Sequence, residues 1–215
     1  MRKSWRERLA AAARRASMLK VAYAHTGLNV YDGFWMRKLS EHFDVVLLTF
    51  TEKSRLPPDR MKRAVPVADV FPQLPKFDGL RIHSLFLLRA MLFKRYVKKL
   101  APDILVASWL LTYGFYAAYS NYKPLVLFAW GSDVLIAPHR SLFYRALVKY
   151  SLKKADVVVC NSEFLIRSLT RFGADPSKIV VLPWFDVQEL LSYVENMPKD
   201  KVELRRKLGL PPEDY

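Results

Sequence analysis

Short runs of valine, isoleucine and leucine alternate with longer amphipathic stretches along most of this 215-residue chain. Strands that are buried on both faces of a parallel sheet have this nearly continuous hydrophobicity, and helices connect them. The strands that we predict are Leu19–Ala24, Asp44–Phe50, Asp103–Ala107, Leu125–Ala129, Asp156–Cys160 and Ile179–Leu182. The alternation therefore predicts an α/β protein with a doubly wound parallel sheet.

Apolar residues at helical spacing predict five helices between these strands. The predicted helices are Gly33–His42, Ser84–Leu100, Thr112–Asn121, Ser141–Lys154 and Glu163–Phe172. Ser162 is a suitable N-cap for the last of them, and Gly173 is a suitable C-cap. Between Leu56 and Pro75 five prolines interrupt the alternation, and we predict an irregular surface excursion there.

Residues 104–122 form an uncharged stretch of 19 residues, which is long enough to span a membrane. However, the stretch contains serine, threonine, asparagine and four tyrosines, and the pair Pro102-Asp103 before it is typical of a turn into a strand. We interpret this stretch as a buried strand followed by a helix.

The net charge of +15 at first suggests a nucleic-acid partner. Residues 1–20 and 81–99 each carry a net charge of +6 and residues 52–63 carry +3, so the rest of the chain is neutral. Only the charge suggests nucleic acid, and three local basic segments on a neutral body fit a membrane surface better than a duplex. We therefore do not expect nucleic acid to be the partner.

Two interpretations of the basic N-terminal extension, residues 1–17, stand side by side. Met18 directly precedes a predicted strand, so the chain is expected to start there and the extension to be a mis-assigned upstream segment. Alternatively, the extension is a basic helical arm, with Trp5 and Leu9 on one side, that lies on an anionic membrane. It is not a secretory signal, because no apolar segment of the usual length follows its arginines.

The predicted helix at residues 85–100 also has two interpretations. Apolar residues recur along it at helical spacing, and its other side carries arginines and lysines without an acidic residue. One interpretation is an ordinary amphipathic helix that packs on the sheet and leaves its lysines in water. The other is a helix that in addition contacts anionic lipid headgroups.

The single cysteine, Cys160, excludes a disulfide framework and cysteine-based metal clusters, and it fits a reducing compartment. We expect Cys160 to pack in the core as a small hydrophobic residue. None of the four histidines pairs with a carboxylate or a cysteine at ligand spacing, so no metal site is predicted. Only His25, at the end of a predicted strand, is a candidate substrate contact.

Candidate binding residues follow the predicted strands, because ligands of doubly wound sheets bind at the carboxyl ends of the strands. They are Gly27, Leu28, Asn29, Trp130, Gly131, Ser132, Asp133, Ser162 and Trp184. Gly27 allows backbone N–H groups to approach a phosphate or a sugar hydroxyl, unless it only serves the turn. Residues 130–133 combine an aromatic face, a flexible backbone, a hydroxyl and a carboxylate. That set suits carbohydrate, and the alternative is a tight turn with Asp133 as a helix cap.

The motifs of this chain, taken in order, resemble the N-terminal half of family 4 glycosyltransferases. They are the strand ending in Trp130-Gly131-Ser132-Asp133, then Ala155–Ser162, then Gly173–Asp186, with a fitting opening at Val21–Gly27 and a fitting close at Arg205–Leu210. The chain departs from many relatives at Trp130, where they have histidine, and at Trp184-Phe185, where they have Asn-Gly.

The resemblance implies a GT-B fold, in which two Rossmann-like domains face each other across a cleft. It makes residues 18–198 the Rossmann-like N-terminal domain, which mostly holds the acceptor, and residues 199–215 a linker helix toward the C-terminal domain. Catalysis in the family is metal-independent and retains the anomeric configuration. Its paired glutamates and its diphosphate-binding arginine and lysine lie in the C-terminal domain, so catalytic residues are expected outside this chain.

We therefore expect the acceptor-side domain of a retaining glycosyltransferase, inactive without a C-terminal half that is missing or separately encoded. The reaction would transfer a hexosyl group from a sugar nucleotide to a lipid-linked or polysaccharide hydroxyl, with no cofactor. The expected location is the cytoplasm, with peripheral contact to the inner face of the membrane through residues 85–100. The alternative is a non-catalytic, Rossmann-like binding or regulatory module.

Overall fold

All strands in the described part of the chain are parallel and belong to one sheet. The computed structural model describes residues 19–26, 28, 30–50, 56, 58, 64–66, 81–184, 187–197, 200–207, 209 and 211. The strands are β1 (Lys20–Ala24), β2 (Asp44–Thr49), β3 (Ala64–Pro66), β4 (Ile104–Ser108), β5 (Leu125–Phe128), β6 (Val157–Cys160) and β7 (Ile179–Val181). Their order across the sheet is β3-β2-β1-β4-β5-β6-β7. This is the doubly wound, Rossmann-like topology that the alternation of strands and helices predicts.

Helices connect the strands in the described ranges. They are α1 (Val30–Ser40), α2 (Arg81–Leu100), α3 (Tyr113–Ser120), α4 (Ser132–Leu135), α5 (Ala137–Arg140), α6 (Leu142–Lys154), α7 (Glu163–Arg171), α8 (Val187–Glu195) and α9 (Lys201–Lys207). The five predicted helices correspond to α1, α2, α3, α6 and α7. Gly173 adopts a positive φ of 97° just after α7, which is the conformation that favours glycine at a helix C-terminus.

The centre of the sheet is fully buried, which explains why its strands read as continuous apolar runs. Tyr23 in β1 pairs with Leu47 on one side and with Val106 on the other. Helix α2 places Phe93 and Val97 in the same core, and neither side chain is exposed to solvent. The predicted core position of Cys160 is confirmed as well, since its side chain is buried in β6.

The irregular excursion predicted between Leu56 and Pro75 is wrong at one point. Residues Ala64–Pro66 form β3, whose backbone pairs with β2 from Leu47 to Thr49. Proline is tolerated there because β3 is an edge strand of the sheet formed by the described residues, and an edge strand needs backbone N–H donors on one side only. The strand was not predicted because it is short and lies in a proline-rich segment. An edge strand of this length needs few apolar residues.

The uncharged stretch at residues 104–122 folds as predicted, into β4 followed by α3. Among the described helices, none is both long and apolar enough to cross a membrane. The stretch is uncharged because most of its side chains pack in the core between the sheet and helices α2 and α6.

The chain divides into two compact units, residues 1–182 and residues 183–215. The first unit holds the whole sheet, and the second holds α8 and α9. Asp200 caps α9, because its Oδ1 accepts hydrogen bonds from the backbone N–H groups of Val202 (2.7 Å) and Glu203 (3.0 Å). The boundary predicted at residue 198 lies outside the described residues and stays a prediction. The predicted basic extension, residues 1–17, lies outside the described residues.

Candidate functional site

Buried polar side chains gather at the carboxyl edge of the sheet. Of the six buried polar or charged residues in the described ranges, four lie at or just after the ends of β1, β2, β4 and β5. They are His25, Thr49, Ser108 and Asp133. Because parallel strands end at the same edge, residues distant in sequence meet there. Buried polar groups need hydrogen-bond partners, so their partners define the geometry of the site.

Tyr113 ties the ends of β1 and β2 together. Its hydroxyl accepts a hydrogen bond from the backbone N–H of Phe50 (3.0 Å) and lies 3.3 Å from Thr49 Oγ1. Thr49 Oγ1 donates its own proton to the carbonyl of Thr26 (3.1 Å), so the hydroxyl of Tyr113 is the donor toward Thr49. The ring of His25 lies 5.8 Å from that of Tyr113 and its Nδ1 lies 3.2 Å from Thr26 Oγ1. The imidazole ring of His25 is therefore in contact with both Tyr113 and Thr26.

Replacing Tyr113 by phenylalanine is expected to lower the free energy of unfolding by about 1 kcal/mol, because the half-buried N–H of Phe50 loses its acceptor. Urea unfolding followed by circular dichroism measures this loss. Tyr150→Phe, at an exposed tyrosine of α6, is the matched control and should leave the unfolding midpoint unchanged. Equal midpoints for the Tyr113→Phe variant and the control would contradict the assigned role of the hydroxyl.

Asp133 holds the loops of β4 and β5 together. The side chain has no exposed surface, and its Oδ1 accepts hydrogen bonds from the backbone N–H groups of Trp130 and Gly131, both at 3.0 Å. Its Oδ2 accepts from the N–H of Leu110, also at 3.0 Å, across 23 residues of sequence. The prediction that this carboxylate accepts from sugar hydroxyls is therefore corrected, because backbone donors fill its oxygens and the protein covers it.

The environment of Asp133 has two opposite effects on the pKa of its carboxyl group. Burial disfavours the ionised form and raises the pKa of Asp133 to about 6, while the backbone hydrogen bonds favour ionisation and oppose that rise. The carboxyl group is consequently ionised at neutral pH and loses its charge in mildly acidic solution.

Trp130 lies half-buried directly after β5. Its indole N–H donates to Ser108 Oγ at the end of β4, and its ring centroid lies 4.9 Å from that of Tyr31 in α1. The indole is therefore anchored by one edge and packed against another aromatic ring. Gly131 follows with a φ of 109°, a conformation that side-chain-bearing residues rarely adopt, and this turn starts α4.

Trp109 is a second tryptophan at this edge, and it is not among the binding residues predicted from the sequence. It follows β4 directly and has a φ of 72°, which is unusual for a residue other than glycine. Its backbone N–H donates to the carbonyl of Phe128 and its carbonyl accepts from the N–H of Gly114 at 2.9 Å. A Cβ on Gly114 would lie 3.0 Å from that carbonyl oxygen, so glycine permits the close approach. An aromatic residue at a strand end was the available signal.

The structure gives a position for four of the six remaining predicted binding residues. Leu28 is exposed after β1, while Gly27 and Asn29 lie outside the described residues. Ser132 is exposed in the first turn of α4, and Ser162 occupies the N-cap position of α7 without a side-chain hydrogen bond to that helix. Trp184 is buried and belongs to the second unit. Within the described ranges, no three potential metal ligands of the His, Cys, Asp or Glu type lie together.

The parallel sheet, with its polar and aromatic carboxyl edge, defines a Rossmann-like domain of the GT-B type. The chain superimposes on UDP-N-acetylglucosamine 2-epimerase from Rickettsia bellii with a TM-score of 0.58 and 15% identity, over 91% of this chain and 52% of that one. It superimposes on Alr3699/HepE from Anabaena in complex with UDP-glucose with a TM-score of 0.59 and 17% identity, over 89% and 50% of the two chains.

The family described as glycosyl transferase 4-like matches residues 20–162, and the chain belongs to that family. The matched region runs from β1 to the N-cap of α7 and includes Trp109, Trp130 and Asp133. A comparison with curated proteins found no match. The chain spans about half the length of the solved structures that it resembles.

Proposed function

We propose that this chain is the acceptor-side domain of a retaining glycosyltransferase. It would assist the transfer of a hexosyl group from a sugar nucleotide to a hydroxyl of a lipid-linked or polysaccharide acceptor. The observation that carries the proposal is the family match across residues 20–162, which contains the aromatic and polar carboxyl edge of the sheet. The fold alone does not carry it, because epimerases and transferases share that fold.

The acceptor subsite in this proposal consists of the two tryptophans and the loops around them. Trp130 and Trp109 offer aromatic faces to the C–H bonds of a sugar ring, and the hydroxyls of Ser132 and Ser162 bind sugar hydroxyls. Asp133 acts as a positioning residue, because its three hydrogen bonds fix the loops on which the tryptophans lie. Backbone N–H groups of the loop at residues 27–29 approach the acceptor or the diphosphate.

The donor in this proposal is a sugar nucleotide, and no metal ion or cofactor takes part. One structural relative of this chain holds UDP-glucose, which supports this class of donor. The catalytic groups and most of the donor contacts are assigned to a C-terminal domain of the GT-B fold, present in the same enzyme or supplied by a separately encoded subunit.

Purified protein of residues 1–215 is expected to give no transferase turnover with any sugar nucleotide, because the proposal places the catalytic groups in the other domain. The measurement is the transfer of radiolabelled sugar from a panel of UDP- and GDP-sugars to soluble glycans and to extracted membrane lipids. Donor hydrolysis is followed in the same samples as a control for a misdirected reaction. Measured turnover by residues 1–215 alone would contradict the requirement for a second domain.

We also propose that the basic side of α2 contacts the anionic inner face of the membrane, which would place the protein at the periphery of the cytoplasmic compartment. Helix α2 packs Phe93 and Val97 into the core and exposes Arg95, Lys98 and Lys99. The core contact and the basic surface therefore lie on different sides of the same helix. Exposed basic residues contribute about 1 kcal/mol each near an anionic lipid surface.

Reversing two of these charges, with Lys98→Glu and Lys99→Glu together, is expected to reduce vesicle binding at low salt by about tenfold or more. Co-sedimentation with vesicles that contain phosphatidylglycerol measures the effect. The matched control is Arg167→Glu with Arg171→Glu, which makes the same charge change at two exposed positions of α7. Equal losses in both double variants would show that only net charge matters, and α2 would then have no special role.

A further inference from the structure

Arg89 is an exposed residue of α2 whose side chain lies against two aromatic residues. Its guanidinium carbon is 5.9 Å from the centre of the Phe50 ring, a distance typical of a cation–π contact. The guanidinium also lies within hydrogen-bonding reach of the hydroxyl of Tyr116, a buried residue of α3. These two contacts restrict a long side chain that would otherwise move freely in water.

Tyr116 contacts Arg89 but does not neutralise it. Burial raises the pKa of Tyr116 to about 12, while the charge of Arg89 and its hydrogen bond to the hydroxyl oppose that rise. Tyr116 therefore stays uncharged at neutral pH, and its hydroxyl accepts a hydrogen bond from the guanidinium without cancelling the positive charge.

The charge of Arg89 has no acidic partner among the described residues. The ion pairs within the described ranges join Lys38 to Glu41 and Lys123 to Asp156. Helices α2 and α3, which carry Arg89 and the hydroxyl beside it, contain no aspartate or glutamate. An arginine that is restricted in position but not paired can bind an anion without first breaking an ion pair.

Arg89 lies at the carboxyl edge of the sheet, beside the candidate site. Phe50 directly follows β2, and its ring lies 5.9 Å from that of Tyr113, whose hydroxyl ties the ends of β1 and β2 together. The ring of Tyr113 in turn lies 6.1 Å from that of Tyr116. Because Tyr113 comes four residues after Trp109, the segment that contacts Arg89 also carries one of the two tryptophans of the proposed acceptor subsite.

The position of Arg89 on α2 separates it from the basic residues that are proposed to face a membrane. Arg89 precedes the buried Phe93 by four residues, so both lie toward the same side of the helix. Lys98 comes nine residues after Arg89, which at about 3.6 residues per turn places it on the opposite side. A role for Arg89 in substrate binding is therefore independent of the proposed membrane contact.

We propose that Arg89 binds an anionic group of the acceptor, a phosphate or a carboxylate attached to the sugar that stacks on the tryptophans. A guanidinium offers parallel N–H donors that match two oxygens of either group. The inference rests on the proposed function and narrows its substrate class, because it makes the acceptor an acidic glycan or a sugar phosphate rather than a neutral sugar. Phe50 and Tyr116 are positioning residues, since they act through the guanidinium.

The test compares three ligands that share one sugar framework: glucose, glucuronic acid and glucose 1-phosphate. Saturation-transfer NMR titrations measure their binding to the full 215-residue chain, with inorganic phosphate and UDP as competitors. Arg89→Gln removes the charge, Arg89→Lys keeps the charge without the parallel donors, and Tyr116→Phe removes the hydroxyl that positions the guanidinium. The matched control is Arg95→Gln, which makes the same change at another exposed arginine of α2. Circular dichroism confirms that each variant is folded.

At least one of the two acidic sugars is expected to bind about tenfold or more tightly than glucose, because a charge-assisted hydrogen bond is added. Arg89→Gln should abolish this preference and Arg95→Gln should leave it unchanged. Arg89→Lys and Tyr116→Phe should retain an intermediate preference. Whether glucuronic acid or glucose 1-phosphate binds more tightly identifies the anionic group as a carboxylate or a phosphate.

The inference is wrong if the acidic sugars bind no more tightly than glucose, or if both arginine-to-glutamine variants lose the preference equally, which would reflect only net charge. It is also wrong if inorganic phosphate or UDP competes for Arg89 as well as the acidic sugar binds, which would indicate a free-anion site or a donor site. Binding of glucose without a preference for acidic sugars overturns the role of Arg89 alone. If none of the three sugars binds, the proposed acceptor site is contradicted as well.

Discussion

The Asp133→Ala variant is expected to lose about 3–5 kcal/mol of its free energy of unfolding, the largest single effect on stability that the site predicts. The substitution removes the acceptor of three backbone N–H groups, those of Leu110, Trp130 and Gly131, each 3.0 Å from the carboxylate. Gly131 and Leu110 are buried, so water cannot easily replace the lost acceptor. Denaturant unfolding monitored by far-ultraviolet circular dichroism measures the loss.

Two further variants separate the hydrogen bonds from the general effect of removing a carboxylate. Asp133→Asn keeps one acceptor oxygen and turns a donor toward the other N–H group, so it should be less destabilised than Asp133→Ala but clearly below the wild type. Asp175→Ala removes an exposed aspartate that caps a short 3₁₀ helix through the N–H of Ser177, and it should have a small effect. If Asp133→Ala unfolds like Asp175→Ala, packing rather than the carboxylate holds the two loops.

The contribution of Asp133 to the free energy of unfolding also depends on pH, and it decreases as the pH rises through the mildly acidic range. Burial raises the pKa of Asp133 to about 6, from 3.8 in the absence of the fold. Between these two values the folded protein keeps a proton that the unfolded chain has lost, so the contribution of Asp133 to stability decreases as the pH rises from about 4 to about 6. The stability difference between the wild type and Asp133→Asn should therefore narrow over that interval.

The second large effect concerns acceptor binding. Trp130→Ala is expected to weaken the binding of saccharide acceptors by about 10- to 100-fold, because a half-buried aromatic face that packs on a sugar ring is removed. Ligand-observed saturation-transfer NMR with a panel of short soluble oligosaccharides measures the binding on residues 1–215. Circular dichroism confirms that the variant is folded, since the contact between the ring and Tyr31 is lost as well.

Trp130→Phe distinguishes stacking from the anchoring of the indole. Phenylalanine keeps an aromatic face but cannot donate to Ser108 Oγ. If stacking binds the sugar, Trp130→Phe should retain affinity within about threefold. A loss as large as that of Trp130→Ala would assign the effect to the hydrogen bond with Ser108, and unchanged binding by Trp130→Ala would remove Trp130 from the acceptor subsite.

The central strands could be predicted from sequence because strands that are buried on both faces consist mainly of consecutive apolar residues. Tyr23, Leu47 and Leu105 are completely buried, so no polar residue interrupts their runs. The edge strand β3 has no such apolar run, because three residues that include a proline are enough to pair with β2. The short helices α4 and α5 were missed for a similar reason, since four residues are too few to show a helical period.

The position of Trp130, Gly131 and Asp133 at the carboxyl edge of the sheet was predicted from sequence, but the hydrogen bonds of the carboxylate were not. Residues after the strand ends were chosen because parallel strands share an edge, and the structure brings Trp130, Gly131 and Asp133 together with Ser108. The contact between Asp133 and Leu110 joins residues of different loops, and nothing in a single sequence marks such a pair. In a sequence, an aspartate next to a glycine is equally consistent with a residue that binds a ligand and with one that accepts hydrogen bonds from loop backbone. Only the burial of the side chain distinguishes the two roles.

Hydrogen–deuterium exchange of residues 1–215, with and without a soluble saccharide acceptor, tests the central claim most directly. If the carboxyl edge of the sheet holds the acceptor, the loops at residues 108–112 and 129–134 exchange more slowly when the saccharide is bound, and the amino-terminal ends of the strands are unchanged. Protection confined to other parts of the chain, with these two loops unaffected by a saccharide that binds, would contradict the proposed acceptor site.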